Sequence, residues 1–475
     1  MTSASKPTLP ARGAKVFFIG IGGIGMSALA QMLRYLGYEV SGSDRGLEDP
    51  GKRELYDQLR AQGIRLFAQD GSGVKASAPD CLIYSAAVES DNADLQAGAA
   101  LPHLHRAEAL AQALNRMSAP QVCVAGSSGK TSVCAWLASA LRALGKRILM
   151  VNGGYVLDFE SGLMPGNFYA DENPEYILVE VDESDRSISA FSPDYAVLLN
   201  VGHDHYGETE LRRVFADFLL AADRAAVLPF ELAELCPAGL RRRYFAQEPP
   251  PSSGECIPGL AYPESFQATA QGCRFVVSGF DAAVHCRQNG LHAAWNACAV
   301  LQTLVLMLPE MSAALPGSLE AFQGVRQRFE VFKNTADGKA KINDYAHNPE
   351  KICAAIQAAR LRFGSPLAIA FQPHGFGPLG FMRDSLQEAL ANCLQADDQF
   401  IFLPVYYAGG TSSHSPSSSE VAAQYQSAGL QVQAVANRQE AEEILRRNRC
   451  KTCTLVLGAR DASLRTWTRE LFKMQ

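Results

Sequence analysis

The fold of this chain is most constrained by an apolar strand that leads into a glycine-rich loop and then into a helix. Residues 122–136 read VCVAGSSGKTSVCAW, with Lys130 and Thr131 at the end of the loop. Backbone amides and a lysine ammonium in such a loop bind phosphates, and the hydroxyl reaches Mg²⁺. The common spacing G-x-x-x-x-G-K-[ST] would need glycine where Val124 stands, so this loop is the shorter G-x-x-G-K-T. The predicted nucleotide contacts are Gly126, Ser127, Ser128, Gly129, Lys130, Thr131 and Ser132.

A second glycine-rich turn lies near the start of the chain. Gly20, Gly22 and Gly25 match G-x-G-x-x-G after the strand KVFFIG, and Asp44 follows about twenty residues later. Glycines at these positions permit a tight turn and let a diphosphate approach the helix amides. The pattern requires only a diphosphate, so a nicotinamide dinucleotide and a UDP-sugar fit it equally well. A glycine-rich turn without a ligand is the third interpretation.

Strand-like runs alternate with helical patterns along the chain, which is typical of parallel sheets flanked by helices. A chain of 475 residues is also too long for one hydrophobic core. The pattern breaks at ALNRMSAPQ, weakens between 236 and 284, and breaks again at ALPGS, which we interpret as a hinge. We therefore predict an α/β protein with a Rossmann-like N-terminal domain, a central P-loop domain with a mostly parallel sheet and a Rossmann-like C-terminal domain. The predicted boundaries are 14–116, 117–314 and 315–475.

The composition indicates a folded protein without a nucleic-acid or membrane partner. Apolar residues make up 47% of the chain and the net charge is −6, with no run of lysine or arginine to attract a nucleic-acid backbone. The first fifteen residues are polar and unlike a secretory signal, and the apolar stretch 16–30 is too short for a bilayer. We predict a cytoplasmic monomer or homodimer.

The twelve cysteines are irregularly spaced, which favours reduced thiols over a disulfide framework. Cys450 and Cys453 form a CxxC, but no second pair accompanies them. We interpret these two as structural thiols and not as a zinc knuckle or a redox pair.

Acidic and polar residues follow two further strands. Glu180 and the DESD segment end YILVEVDESD, and Asn200, Asp204 and His205 end YAVLLNVGHDH. The carboxyl ends of parallel strands meet at one sheet edge, where carboxylates suit Mg²⁺ and a histidine could complete a second metal site. A solvated acidic loop and a zinc pair in HDH are the alternatives.

Together these segments resemble the Mur ligases. GIGGIGMSALA, GSD, RAEAL, AGSSGKTS, EVDESD, LNVGHDH, GLHAAWNA, FQGVRQRFE, NDYAHNPEKI and FQPH occur in that family's order, over residues 14–475. The resemblance is strongest to members that act on UDP-N-acetylmuramate, with L-alanine or a recycled peptide as the amine. It implies a cytoplasmic enzyme of peptidoglycan synthesis that uses ATP and Mg²⁺ and forms an amide through an acyl phosphate. The short G-x-x-G-K-T is that family's ATP loop.

The resemblance also implies roles for individual residues around ATP. Lys130 would hold the β- and γ-phosphates, and Thr131 with Glu180 would bind the first Mg²⁺. His205 matches the second metal position, and Arg328 matches an arginine that reaches the ATP phosphates. Further contacts are implied for the ribose at Asp344 and for adenine at His292 and Asn296.

The remaining implied roles concern the other substrates. The sugar nucleotide would contact Gly20, Gly22, Gly23, Gly25, Ser43, Asp44 and Ser85. The acceptor side of the site would be formed by Tyr345, His347 and His374.

The chain departs from the family pattern at four places, one of which is YYAGGT, where the acidic residue expected after the A-G pair is absent. Ala293 replaces the first asparagine of H-N-x-x-N, while Gly375 and Pro378 stand where relatives that add L-alanine carry arginines. Glycine and proline cannot pair with a carboxylate as a guanidinium does. L-alanine, or a peptide beginning with it, remains the first acceptor hypothesis. A non-catalytic paralogue that binds UDP-sugar or ATP and a nicotinamide-dependent oxidoreductase are the other two hypotheses.

Overall fold

The computed structural model describes residues 7–182, 187–202, 208–249, 257–269, 271–333, 339–407, 414–447 and 453–472. They divide into two compact units, which are described separately. The first comprises Met1–Ser265, Phe275–Cys286 and Ala294–Val325, and the second comprises Phe266–Arg274, Arg287–Ala293 and Arg326–Gln475.

The first sheet is entirely parallel and has the strand order β3-β2-β1-β4-β5. Its strands are β1 (Lys15–Ile19), β2 (Glu39–Ser43), β3 (Arg65–Phe67), β4 (Cys81–Tyr84) and β5 (His103–His105). The helices that connect them are α1 (Ile24–Tyr35), α2 (Arg53–Ala61), α3 (Ser72–Ser77), α4 (Ala93–Ala97) and α5 (Arg106–Leu114). The order reverses beside β1, so the glycine turn after β1 lies at the switch point, where ligands bind in such sheets.

The second sheet follows with the order β13-β12-β11-β10-β6-β9-β7-β8, and β8 pairs antiparallel with β7. Its strands are β6 (Gln121–Ala125), β7 (Ile148–Val151), β8 (Phe168–Ala170), β9 (Tyr176–Glu180), β10 (Tyr195–Leu198), β11 (Ala225–Pro229), β12 (Arg241–Phe245) and β13 (Leu260–Ala261). The helices α6 (Lys130–Ala143) and α7 (Glu208–Leu220) belong to this part of the chain. Apolar residues of the first and second sheets contribute to one hydrophobic core, so the two sheets form a single compact unit.

A small sheet comes next, with β14 (Pro263–Thr269), β15 (Gly272–Val277) and β16 (Ala283–Cys286) in that order. The helices α8 (Leu291–Met307) and α9 (Leu315–Ser318) follow. Strands β12 to β15 occupy the stretch where the sequence pattern was weak. The ALPGS segment, predicted as a hinge, forms α9 instead. This difference has a physical reason, because Leu315 and Pro316 are buried and hold the segment in the first unit.

The last sheet has the order β17-β18-β22-β19-β20-β21, with β17 antiparallel to β18 and the other pairs parallel. Its strands are β17 (Glu330–Lys333), β18 (Ala340–Asp344), β19 (Leu367–Gln372), β20 (Gln399–Phe402), β21 (Val432–Ala434) and β22 (Cys453–Gly458). Its helices are α10 (Pro349–Phe363), α11 (Phe376–Cys393), α12 (Ser418–Ser427), α13 (Arg438–Arg447) and α14 (Ser463–Glu470). Three α/β sheets with mostly parallel strands confirm the predicted fold class.

Candidate active site

The predicted phosphate loop lies between the buried strand β6 and the first turn of α6. Gly126 and Gly129 adopt positive φ angles of 137° and 86°, which a residue with a side chain reaches only with strain. The ammonium of Lys130 donates a hydrogen bond to the Gly126 carbonyl over 2.7 Å, and Ser132 lies in the first turn of α6. The loop therefore has the compact form that surrounds a phosphate with amides.

The end of β10 supports this loop. The Ser128 amide donates to Asn200 Oδ1 over 2.9 Å, and Asn200 Nδ2 donates back to the Ser128 carbonyl over 3.0 Å. The Gly202 amide donates to Ser127 Oγ over 2.9 Å. Asn200 and Gly202 thus fix the shape of the loop from the end of the neighbouring strand.

Thr131 and Glu180 lie together, as the strand pattern predicted. Strands β6 and β9 are neighbours, with Val124 opposite Glu180 in the register. Thr131 Oγ1 donates to Glu180 Oε1 over 2.9 Å, and the Gly153 amide donates to Glu180 Oε2 over 2.7 Å. A hydroxyl and a carboxylate are hard oxygen donors of the kind that Mg²⁺ prefers, so the residues present fit that ion.

The proposed second metal ligand, His205, lies outside the described residues, as do Glu183, Asp185 and Asp204. Asp182 is described, and it lines the same cavity as Glu180.

Two glycines of this site were not among the residues predicted from the sequence. A Cβ at Gly153 would lie 2.6 Å from Glu180 Oε2, and a Cβ at Gly154 would lie 2.7 Å from Thr131 Cγ2. Both positions therefore need glycine for close approach to the predicted Mg²⁺ ligands. The available signal was the NGG segment directly after the buried strand β7, at the same sheet edge as Glu180.

The N-terminal glycine turn is closed by the end of β2. The amides of Gly20 and Ile21 both donate to the Ser43 carbonyl over 2.9 Å, and the Gly22 amide donates to Asp44 Oδ2 over 2.7 Å. Tyr56 donates its phenolic hydrogen to Asp44 Oδ1 over 2.9 Å. Burial, together with Asp44, raises the pKa of Tyr56 well above its usual value, so this tyrosine stays a donor.

Ser43 and Asp44 both have partners within the protein. The contacts of Asp44 are those with Gly22 and Tyr56, and the Ser43 hydroxyl donates to Asp94 Oδ2 over 2.6 Å. Their contact with a sugar nucleotide stays a prediction. In the structure, the Ser43 carbonyl and the Asp44 carboxylate hold the backbone that forms the glycine turn.

A cavity of about 320 Å³ within the first unit lies between the N-terminal glycine turn and the ends of β7 and β9. Its lining includes Gly23, Gly25, Ser85 and Arg106 from the part of the chain around the first sheet, and Asn152, Gly153, Glu180 and Asp182 from the part around the second sheet. Gly23, Gly25 and Ser85, which were predicted for the sugar nucleotide, thus share a cavity with Glu180. This arrangement is what a reaction between a bound sugar acid and a bound triphosphate requires.

Arg106 is a third residue that the site prediction missed. It begins α5, and its Nη1 lies 3.0 Å from the position of a Cβ at Gly25, beside the start of α1. A guanidinium next to helix amides can bind a diphosphate. The RAEAL segment contained the signal, but only the folded chain places Arg106 against the glycine turn.

The predicted adenine contacts lie on α8. Asn296 Oδ1 lies 3.1 Å from the position of a Cβ at Gly129, so this amide is adjacent to the phosphate loop. His292 lies one turn earlier on the same helix, and Ala293 is buried. Their contact with adenine stays a prediction.

In the second unit, Arg328, Asp344 and Tyr345 lie together. The Arg328 guanidinium lies 5.2 Å from the centre of the Tyr345 ring. The Asp344 carboxylate accepts hydrogen bonds from the amides of Phe329 over 2.6 Å and Ala346 over 2.7 Å. Burial raises the pKa of Asp344, against the opposing attraction of Arg328.

Two histidines follow the ends of β18 and β19, the two strands that flank β22 in this sheet. The rings of His347 and His374 meet edge to face with centroids 5.0 Å apart, and His347 Nδ1 lies 2.9 Å from the Tyr345 carbonyl. His374 Nδ1 is buried and has no hydrogen-bond partner among the described residues. Gly375 and Pro378 come next and form the start of α11.

The environment of His374 predicts a pH-dependent stability. Burial, then the positive charges of His347 and Arg460, lower its pKa from 6.5 to about 4. Between pH 4 and pH 6.5 the unfolded chain therefore binds more protons at this histidine than the folded chain does. The free energy of unfolding thus falls as the pH drops from 6.5 towards 4. We expect His374→Gln to show a smaller fall in melting temperature than the wild type between pH 7 and pH 5, measured by scanning calorimetry.

The matched control is His285→Gln, at an exposed position on β16. This variant should reproduce the pH dependence of the wild type. An unchanged pH dependence in His374→Gln would contradict the assignment to His374.

Comparison with known proteins agrees with this architecture. Three family models match the chain: "Mur ligase family, catalytic domain" at residues 15–117, "Mur ligase middle domain" at 124–214 and "Mur ligase, glutamate ligase domain" at 327–460. The UDP-N-acetylmuramate–L-alanine ligase of Streptomyces avermitilis is 31% identical over 404 residues, which cover 81% of this chain and 82% of that protein. The enzyme of the same name from Acidithiobacillus ferrooxidans is 32% identical over 415 residues, covering 83% and 84%. The chain belongs to the Mur ligase family.

Solved structures agree with this assignment. The UDP-N-acetylmuramate–alanine ligase of Thermotoga maritima superposes with a TM-score of 0.77 at 25% identity, over 96% of this chain and 98% of that one. A murein peptide ligase from Psychrobacter arcticus shares the fold, with a TM-score of 0.67 at 18% identity, over 97% and 100%. None of the helices in the described part of the chain has the length and apolar character needed to cross a membrane.

Proposed function

We propose that this protein is an ATP-dependent, ADP-forming ligase that joins an amine to the carboxylate of UDP-N-acetylmuramate, in cytoplasmic peptidoglycan precursor synthesis. The observation that carries the proposal is the shared cavity, in which the N-terminal glycine turn lies opposite Glu180. A carboxylate bound there would lie close to Glu180, which accepts the hydroxyl of Thr131 at the end of the phosphate loop.

In the proposed reaction, the sugar carboxylate receives the γ-phosphoryl group of ATP, and the amine then displaces phosphate from the acyl phosphate. Lys130 holds the phosphates, and the loop amides orient them for in-line transfer. Thr131 and Glu180 hold Mg²⁺, which supplies positive charge to the triphosphate. Arg106 and the amides at the start of α1 bind the diphosphate of the sugar nucleotide.

The proposed amine is L-alanine, in keeping with the names of the relatives. Gly375 and Pro378 favour a second candidate, a peptide that begins with L-alanine. Neither residue has a charge to pair with a free α-carboxylate, and a peptide carries its carboxylate farther from the reacting amine. An oxidoreductase is less well supported because it leaves the loop at 126–132 without a role.

The test is an incubation of the purified protein with ATP, Mg²⁺ and UDP-N-acetylmuramate, together with each L-amino acid or a short peptide. Released phosphate and product mass are recorded. We expect phosphate release and a product heavier by one L-alanine residue, or by the peptide if that is the acceptor. Tight binding of both nucleotides without phosphate release from any amine would support a non-catalytic paralogue.

A further inference from the structure

The second unit contains two cysteines whose sulfur atoms are in contact. Cys353 lies in the second turn of α10, and Cys393 is the last residue of α11. Their Sγ atoms are 3.0 Å apart, and Cys353 Sγ also lies 3.4 Å from the Ala389 carbonyl. A disulfide bond has a length of about 2.05 Å, so the two sulfurs need to approach by only about 1 Å to form one.

These two thiols also differ from the other described cysteines in exposure. Both are partly exposed, whereas the remaining eight are buried. Those eight are Cys81, Cys123, Cys134, Cys236, Cys273, Cys286, Cys298 and Cys453. An oxidant in solution therefore reaches the Cys353–Cys393 pair more readily than the rest of this set.

The surrounding contacts hold the two sulfurs in place. Arg360, on α10, donates to the Cys393 carbonyl over 3.0 Å and forms an ion pair with Asp398 over 2.7 Å. Asp398 also accepts the Leu367 amide at the start of β19 over 2.8 Å. This network fixes the end of α11 against α10, so the contact between the thiols depends on rigid elements and not on a mobile loop.

The two thiols are also unequal in acidity. The hydrogen bond with Cys393 lowers the pKa of Cys353, whereas the same contact and burial raise the pKa of Cys393. Cys353 is therefore the better nucleophile, and Cys393 keeps its proton until the second step.

We propose that Cys353 and Cys393 are a reversible redox pair, which a peroxide oxidises to a disulfide that links α10 to α11. In the first step, the Cys353 thiolate attacks one peroxide oxygen. The O–O bond breaks, a sulfenic acid forms on Cys353, and the other oxygen leaves as water after taking a proton. In the second step, the Cys393 sulfur attacks the Cys353 sulfur, and hydroxide leaves and becomes water with the Cys393 proton.

Overall, two thiols lose two electrons and two protons, and one peroxide becomes two waters. A cellular dithiol or glutathione reverses the bond by thiol–disulfide exchange. This inference is independent of the proposed ligase activity, because it uses residues outside the nucleotide and sugar sites.

The test treats the full-length protein with a small excess of hydrogen peroxide and then alkylates the remaining thiols. We expect a peptide pair joined through Cys353 and Cys393 in the digest, lost again after dithiothreitol. Oxidation should raise the melting temperature by about 5 °C, because the bond restricts the unfolded chain between the two helices. The variants Cys353→Ser and Cys393→Ser should show neither effect.

The control variant Cys273→Ser removes a buried thiol and should behave as the wild type. Circular dichroism of the reduced variants establishes that each one folds. Over-oxidation of Cys353 to a sulfinic acid without a cross-link, or unchanged alkylation of both thiols, would overturn the proposal.

Discussion

Replacement of Lys130 by alanine is expected to abolish ADP release that depends on both the sugar nucleotide and the amine. The Lys130 ammonium lies at the phosphate loop, 2.7 Å from the Gly126 carbonyl. It supplies the loop with a fixed positive charge. Phosphoryl transfer is catalysed mainly by positioning and electrostatic stabilisation, so loss of this charge should lower kcat about 10³-fold or more. A coupled assay for ADP measures the effect.

The control is Lys146→Ala, which removes a lysine beyond the far end of α6 and should retain wild-type turnover. Binding of UDP-N-acetylmuramate, measured by calorimetry, should be unchanged in both variants, because its proposed contacts lie on the N-terminal glycine turn and on Arg106. Full turnover of Lys130→Ala would refute the assignment of this loop.

The second large effect is expected from Gly153→Ala, which adds a single methyl group at this position. The added methyl group would lie 2.6 Å from Glu180 Oε2 and 2.8 Å from Oε1, so the carboxylate has to move. Movement breaks its 2.9 Å hydrogen bond with Thr131 and separates the two proposed Mg²⁺ ligands. We expect Gly153→Ala to lower kcat about 10²-fold, since small displacements of catalytic groups have effects of this size.

Measurement of rate against Mg²⁺ concentration distinguishes this effect from general damage. Gly153→Ala should need more Mg²⁺ for half of its maximal rate, while its melting temperature changes little. Gly162→Ala is the matched control, because no atom lies within 4 Å of the added methyl group. An unchanged Mg²⁺ dependence in Gly153→Ala would show that Glu180 does not hold the ion.

The local parts of this structure could be predicted because local chemistry determines them. A buried apolar strand that ends in glycine, lysine and threonine predicts β6, its loop and α6. Adjacent parallel strands bring their carboxyl ends together, which places Glu180 beside Thr131. Both predictions needed only short stretches of sequence and the general geometry of parallel sheets.

The other features of the fold and of the site depend on contacts between residues that are far apart in the sequence. Arg106 and Gly25 are far apart in the sequence, and no local periodicity indicates that one lies against the other. The space restrictions at Gly153 and Gly154 arise from Glu180 and Thr131, which belong to other elements. Strands β12 to β15 were missed because their short, partly exposed sequences lack the apolar runs of the central strands.

The central claim is that the sugar carboxylate becomes phosphorylated in the cavity between the N-terminal glycine turn and Glu180. UDP-N-acetylmuramate labelled with ¹⁸O in its carboxylate tests this claim directly, with mass spectrometry of the phosphate released during amide formation. We predict that one labelled oxygen moves from the carboxylate into each phosphate, because the acyl phosphate retains that oxygen when the amine attacks. Unlabelled phosphate alongside full product formation would contradict the claim.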